Sequence, residues 1–154
     1  MLEHGGDLAR ASREYGIPEE RWLDLSTGIN PMGYPVPPVP PGIWQRLPGD
    51  VEPLLRAARE CYQAVELLPV AGTKAAIQAL PRLRPHSRVT LAALTYNEYA
   101  HAWKRQGHAV QAVPPYEFDA RMAETDVLVV CNPNNPSGER IEPDRLLEWH
   151  VRLA

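Results

Sequence analysis

Between residues 67 and 153 the chain alternates short apolar runs with longer stretches of helical spacing. The runs at 67–71, 88–92, 109–113 and 126–131 have strand length. The stretches at 73–83, 98–106 and 143–153 read as helices, the last with Pro143 in its first turn, where a missing N–H costs nothing. Asp126–Cys131 (DVLVVC) is apolar almost throughout, as a strand covered on both faces should be. Parallel neighbours require a crossover of about a dozen residues or more, usually a helix. The alternation therefore predicts an α/β layered domain with a mainly parallel sheet.

The first third reads differently. Leu8, Ala11 and Tyr15 fall at helical spacing and Gly16 follows as a stop, so 7–15 is a short helix. Residues 22–25 form a short extended piece. Eight of the 17 prolines lie between Pro31 and Pro53, and the segment 26–41 cannot be helical because its prolines remove donors and restrict their neighbours. Residues 53–62 read as a helix with Leu54, Leu55, Ala58, Cys61 and Tyr62 on one side. The expected organisation is an arm and proline-rich loop over 1–45, then the first part of a larger domain over 46–154. The pattern stops inside its last helix, which reads as an interrupted domain.

Apolar residues make up 44% of the chain, enough for a core. The net charge of −3 offers no electrostatic footprint for nucleic acid or an anionic membrane. No apolar run approaches the roughly 20 residues that span a bilayer, and the polar opening MLEHGGDLAR is no signal peptide. A reduced, cytoplasmic, soluble protein is expected. Cys61 and Cys131 are too few for a disulfide framework or a cysteine-based zinc site, and each is expected to be a small buried apolar residue.

Four places could carry chemistry. At Val70-Ala71-Gly72-Thr73-Lys74 a strand pattern passes through a glycine into a helix pattern, whose first N–H groups lack internal partners and suit a phosphate; the alternative is an ordinary strand-to-helix turn. Asn132-Pro-Asn-Asn-Pro-Ser-Gly138 follows the most apolar run, where α/β sheets gather ligands, although it is equally a set of good turn formers. Tyr96, in Thr95-Tyr96-Asn97-Glu98-Tyr99, could stack on a planar ligand or simply pack. His4-Gly5-Gly6-Asp7, together with Asn30-Pro31, could hold an anion. No histidine spacing suggests a metal, and no nucleophile motif is present.

In their order, HGGD, LDLSTGINPMG, LLPVAGTKAAIQALPRLRP, LTYNEYAHAW and VLVVCNPNNPSG resemble the first part of a pyridoxal-phosphate enzyme of the class I/II aminotransferase type. Within that superfamily the resemblance is to the threonine-phosphate decarboxylase branch of cobalamin biosynthesis. It implies an incomplete fold type I large domain, preceded by an N-terminal arm. It assigns Gly72, Thr73 and Lys74 to the phosphate of pyridoxal 5'-phosphate, Tyr96 to its ring and Asn135 to its phenolic oxygen. His4, Gly5 and Asn30 match positions near the phosphate and carboxylate of a phosphorylated amino acid.

The family's Schiff-base lysine, its acidic partner for the pyridinium nitrogen and its carboxylate-binding arginine have no counterpart in these residues. Neither Lys74 nor Lys104, the only lysines, sits in an S-x-x-K context, and Leu47 stands near where many relatives have a tyrosine. No catalytic residue is therefore assigned, the isolated chain is expected to be inactive, and the family builds homodimers. The alternatives are a histidinol-phosphate-type aminotransferase and a non-catalytic remnant or phosphate-binding fragment.

Overall fold

A computed structural model describes residues 5–30, 32–47 and 49–153. His4, one of the expected substrate-binding residues, lies outside them. The chain divides into two compact units, one built from residues 1–29 and 74–154 and the other from residues 30–73.

The first unit opens with helix α1 (Leu8–Tyr15). Asp7 caps it by accepting from the N–H of Arg10 at 2.9 Å, which satisfies one of the donors a helix start leaves open. Gly16, at φ 66°, ends it. The unit's centre is a three-stranded parallel sheet in the order β2–β1–β3, made from β1 (Arg88–Ala92), β2 (Ala109–Val113) and β3 (Val127–Val129). Val89 stands opposite Val110 and Val127, and Leu91 opposite Ala112 and Val129. Four of the five residues of β1 are buried, as the middle strand of a layered sheet requires. The fold class is α/β, as the alternation of strand and helix patterns predicts.

Helix α4 (Glu98–Arg105) connects β1 to β2 and buries Ala102 and Trp103. Between β2 and β3 the chain makes three short helical turns, Pro115–Glu117, α5 (Phe118–Arg121) and Met122–Glu124. Phe118 and Met122, four residues apart, share one helical face and join Ala92, Val113 and Trp149 in the core. Trp149 comes from α6 (Pro143–Leu153), with its ring edge-on to Phe118 at 5.6 Å. The Asp119 carboxylate ties α6 down. It accepts from Trp149 Nε1 at 3.1 Å and pairs with Arg145 and Arg152. The Trp149 bond first, then the two arginines, hold its carboxyl below the usual range against the opposing effect of burial.

Buried polar groups on the sheet are ordered in one direction. Thr125 donates its hydroxyl proton to the Arg121 carbonyl at 2.7 Å, so it can only accept from Thr90 at 2.6 Å. Thr90 in turn accepts from Gln111 Nε2 at 2.7 Å. His108 is also buried. Its Nδ1 accepts from the Ser87 N–H at 3.1 Å, which makes Nε2 the donor to the Pro81 carbonyl at 2.9 Å.

The second unit holds a 3-10 turn at Pro41–Gln45 and helix α2 (Glu52–Tyr62). The Asp50 carboxylate accepts from the Glu52 N–H at 2.9 Å, and Gln63, at φ 52°, closes the helix. None of the described residues between 30 and 73 is buried.

Four sequence expectations need correction. The run 67–71 makes no ladder, and Leu68 is 83% exposed; apolar composition makes a strand only where a partner edge accepts its hydrogen bonds. The run 126–131 is a strand only over Val127–Val129, because the Asn-Pro steps that follow turn the chain away. Cys61 is exposed, and Cys131 is half-buried with its thiol donating to the Pro133 carbonyl at 3.4 Å. The expected helix at 73–83 is α-helical only over Thr73–Ala79 (α3) and tightens to a 3-10 turn over Leu80–Leu83 around Pro81.

Candidate functional site

Because β1 and β3 are parallel neighbours, their carboxyl ends open on one edge of the sheet. The loops that leave those ends, 93–97 and 130–138, meet there through Asn134. Thr95 donates its hydroxyl proton to Asn134 Oδ1 at 2.8 Å, and Asn134 Nδ2 donates to the Leu94 carbonyl at 2.8 Å and to Ser137 Oγ at 2.7 Å. The Asn134 N–H donates to the Glu139 carbonyl at 2.8 Å, and its own carbonyl accepts from Gly138 at 2.7 Å. Asn132 anchors the same loop by a reciprocal pair with the backbone of Ile141, at 2.8 and 3.0 Å. Two of the loop's three asparagines therefore have structural partners.

The third, Asn135, lines a cavity of about 480 Å³ together with Pro136 and residues 94–97. The opposite set of lining residues comes from the N-terminal segment, Gly5 and 26–29. The structure thus brings Gly5, Tyr96 and Asn135 into one cavity from three distant points of the sequence. The Tyr96 ring meets Tyr99 edge-on at 5.9 Å. Burial first, then the neighbouring Cys131 thiol, push the Tyr99 hydroxyl up to about 12, so that tyrosine stays neutral.

Lys74 opens the later part of the first unit, in α3. Its ammonium pairs with the buried Glu98 carboxylate at 2.8 Å, and this bond and charge raise its pKa. Glu98 keeps Lys74 protonated and occupied. Gly72 and Thr73 close the second unit, where Gly72 takes φ 83° and donates its N–H to the Val70 carbonyl at 2.7 Å. Asn30 also belongs to that unit, and its Oδ1 accepts from the Met32 N–H at 2.9 Å.

The cavity's volume lies in the range of about 300–1,000 Å³ typical of small-molecule sites. Tyr96 offers an aromatic wall and Asn135 an amide donor, a pair that suits a flat ring bearing an oxygen acceptor. Neither lysine is among the lining residues. Sequence reasoning missed Asn134, Glu98 and the pair Asp24 and Ser26. Only Asp24-Leu-Ser26 carried a local signal, since an aspartate two residues before a serine often bonds its backbone N–H.

Residues 54–149 match the family model described as aminotransferase class I and II. The chain is 49% identical over 153 residues to a threonine-phosphate decarboxylase of Pseudomonas aeruginosa, covering 99% of this chain and 46% of that protein. It is 44% identical over 156 residues to a threonine-phosphate decarboxylase of a Sinorhizobium species, covering 98% and 46%. A histidinol-phosphate aminotransferase of Bacillus cytotoxicus is 32% identical over 97 residues, covering 56% of this chain and 26% of that protein. The chain spans about half the length of each of these two decarboxylases. Among the described residues no helix is long and apolar enough to cross a membrane. With most of its length inside the matched family model, the chain belongs to the class I and II aminotransferase family.

Proposed function

We propose that the chain is the N-terminal part of a threonine-phosphate decarboxylase that uses pyridoxal 5'-phosphate and makes aminopropanol phosphate for cobalamin biosynthesis. The reading is carried by 49% identity over almost the whole chain to a protein of that name. It gains support from the single cavity that holds Gly5, Tyr96 and Asn135. Bound pyridoxal phosphate would supply an electron sink for the bond cleaved at the substrate's α-carbon.

The chain's own residues bind and orient. Tyr96 would stack on the ring, with the neutral Tyr99 edge-on to Tyr96 at 5.9 Å. Asn135 donates to the ring's phenolic oxygen. The turn Gly72-Thr73-Lys74 takes the cofactor's phosphate, with the Lys74 ammonium positioned by Glu98. His4, Gly5 and Asn30, which the family resemblance implies for this role, would bind the phosphate and carboxylate of O-phospho-L-threonine. The reaction is cytoplasmic, and the complete enzyme is a homodimer.

Stable conjugates test this without requiring a lysine. Calorimetric titration of the chain with phosphopyridoxyl-O-phospho-L-threonine and with phosphopyridoxyl-histidinol phosphate should show the first binding at least about tenfold more tightly. Tighter binding of the histidinol phosphate conjugate would favour the aminotransferase reading, which the Bacillus cytotoxicus relative makes the second candidate. Binding of neither would leave a non-catalytic remnant.

A further inference from the structure

The cavity has two sides of different origin. Residues 94–97 and 135–136 leave strand ends, whereas Gly5 and 26–29 belong to the N-terminal segment. The second side is held by a directed chain of hydrogen bonds. Ser26 has one hydroxyl proton and donates it to Asp24 Oδ1 at 2.6 Å. The hydroxyl oxygen can then only accept, and it accepts from the Gly6 N–H at 2.8 Å. The Ser26 N–H also donates to Asp24 Oδ1, at 2.8 Å. One carboxylate therefore fixes both the position and the proton of Ser26, and Ser26 fixes Gly6.

The fit at this point leaves no room for a side chain. A Cβ on Gly5 would stand 2.0 Å from the Ser26 carbonyl oxygen and 2.7 Å from its hydroxyl. Gly6 adopts φ 86°, and a Cβ there would meet the Thr27 methyl at 3.1 Å. On the other flank Asp7 is locked as the cap of α1. The Gly5–Gly6 backbone is thus clamped between α1 and Ser26, with Gly5 on the cavity wall.

We propose that Asp24 is a positioning residue: through the Ser26 hydroxyl it holds the Gly5–Gly6 backbone as the substrate-facing wall, and so sets affinity for the amino-acid phosphate but not for the cofactor. The proposal rests on the functional reading above, in which the strand-end side faces the cofactor ring. Asp24 and Ser26 lie at the surface, half-buried and exposed, so their replacement spares the core.

Two probes separate the roles: pyridoxamine 5'-phosphate, which carries the cofactor part only, and phosphopyridoxyl-O-phospho-L-threonine. Calorimetry on the wild type, Asp24→Ala, Ser26→Ala and Ser26→Thr gives the affinities, and amide exchange at Gly6 reports the clamp. Asp24→Ala and Ser26→Ala should weaken the conjugate about tenfold, the scale of one charge-assisted bond, and leave pyridoxamine phosphate within about twofold. Gly6 exchange should quicken in both, and Ser26→Thr should restore both readouts. Equal loss for the two probes, or wild-type affinity and Gly6 protection in Asp24→Ala, would overturn the proposal. A wild type that does not prefer the conjugate to pyridoxamine phosphate would overturn the functional reading and, with it, this inference.

Discussion

The sheet region and residues 30–73 contain similar local signals and reach different ends. Both have helices with proline in the first turn, α6 with Pro143 and α2 with Pro53. Helix α6 buries Trp149 against Phe118, and three of its side chains bond to Asp119. Helix α2 buries no residue, and Trp44, Leu47 and Leu54 around it are 77%, 90% and 59% exposed. The difference teaches that caps and prolines delimit a helix locally, whereas burial depends on what the rest of the chain brings to it.

The comparison can be broken most severely at Phe118, which is 1% exposed. Phe118→Ala should remove about 3–5 kcal/mol of unfolding free energy, read from the midpoint of a urea transition. Loss below about 1 kcal/mol would mean that the α5–α6 layer is not the cooperative core.

A smaller effect is expected from Arg88 and Asp126, which join β1 to the start of β3 at 2.6 Å. The side-chain bond from Arg88 first, then the Arg88 N–H, hold the Asp126 carboxyl at about 2. A depressed carboxyl contributes stability that is fully present above its unfolded value, about 3.9, and is lost as pH falls through its folded value. Wild-type stability should therefore decline between about pH 4 and 2. Asp126→Asn should be flatter over the same window, as followed by circular dichroism. An identical acid limb in both proteins would remove this pair from the account.

The smallest effect belongs to the second unit. Leu54→Ala should change the urea midpoint by no more than about 0.5 kcal/mol equivalent, the range for exposed positions. A loss above about 2 kcal/mol would show that α2 is covered in solution and would erase the contrast with α6.

Much of the candidate site was legible because its residues sit where local rules act. Strand-end logic marked the loops that carry Asn135 and Tyr96, and the family resemblance singled out those two residues within them. Asn134 was not separable from Asn135 by composition. Only the approach of loop 93–97 decides which asparagine ties the loops and which lines the cavity. Glu98 likewise reads as an ordinary acidic residue in a first helical turn until the fold buries it against Lys74.

The ordered motifs of the sequence pointed to the family, and periodicity and punctuation, which are local properties, determined the strands 88–92 and 109–113 and the helices that formed as Leu8–Tyr15, Glu52–Tyr62, Glu98–Arg105 and Pro143–Leu153. The sequence also signalled the proline-rich loop. Tertiary structure alone decided that 67–71 stays unpaired, that Cys61 faces solvent, and that Phe118 and Met122 complete the core. It also joined Gly5 to Tyr96 and Asn135 across some 90 and 130 residues. The physical reason is common to all of these. Ladders, burial and shared cavities are relations between distant residues, and no window of sequence contains both partners.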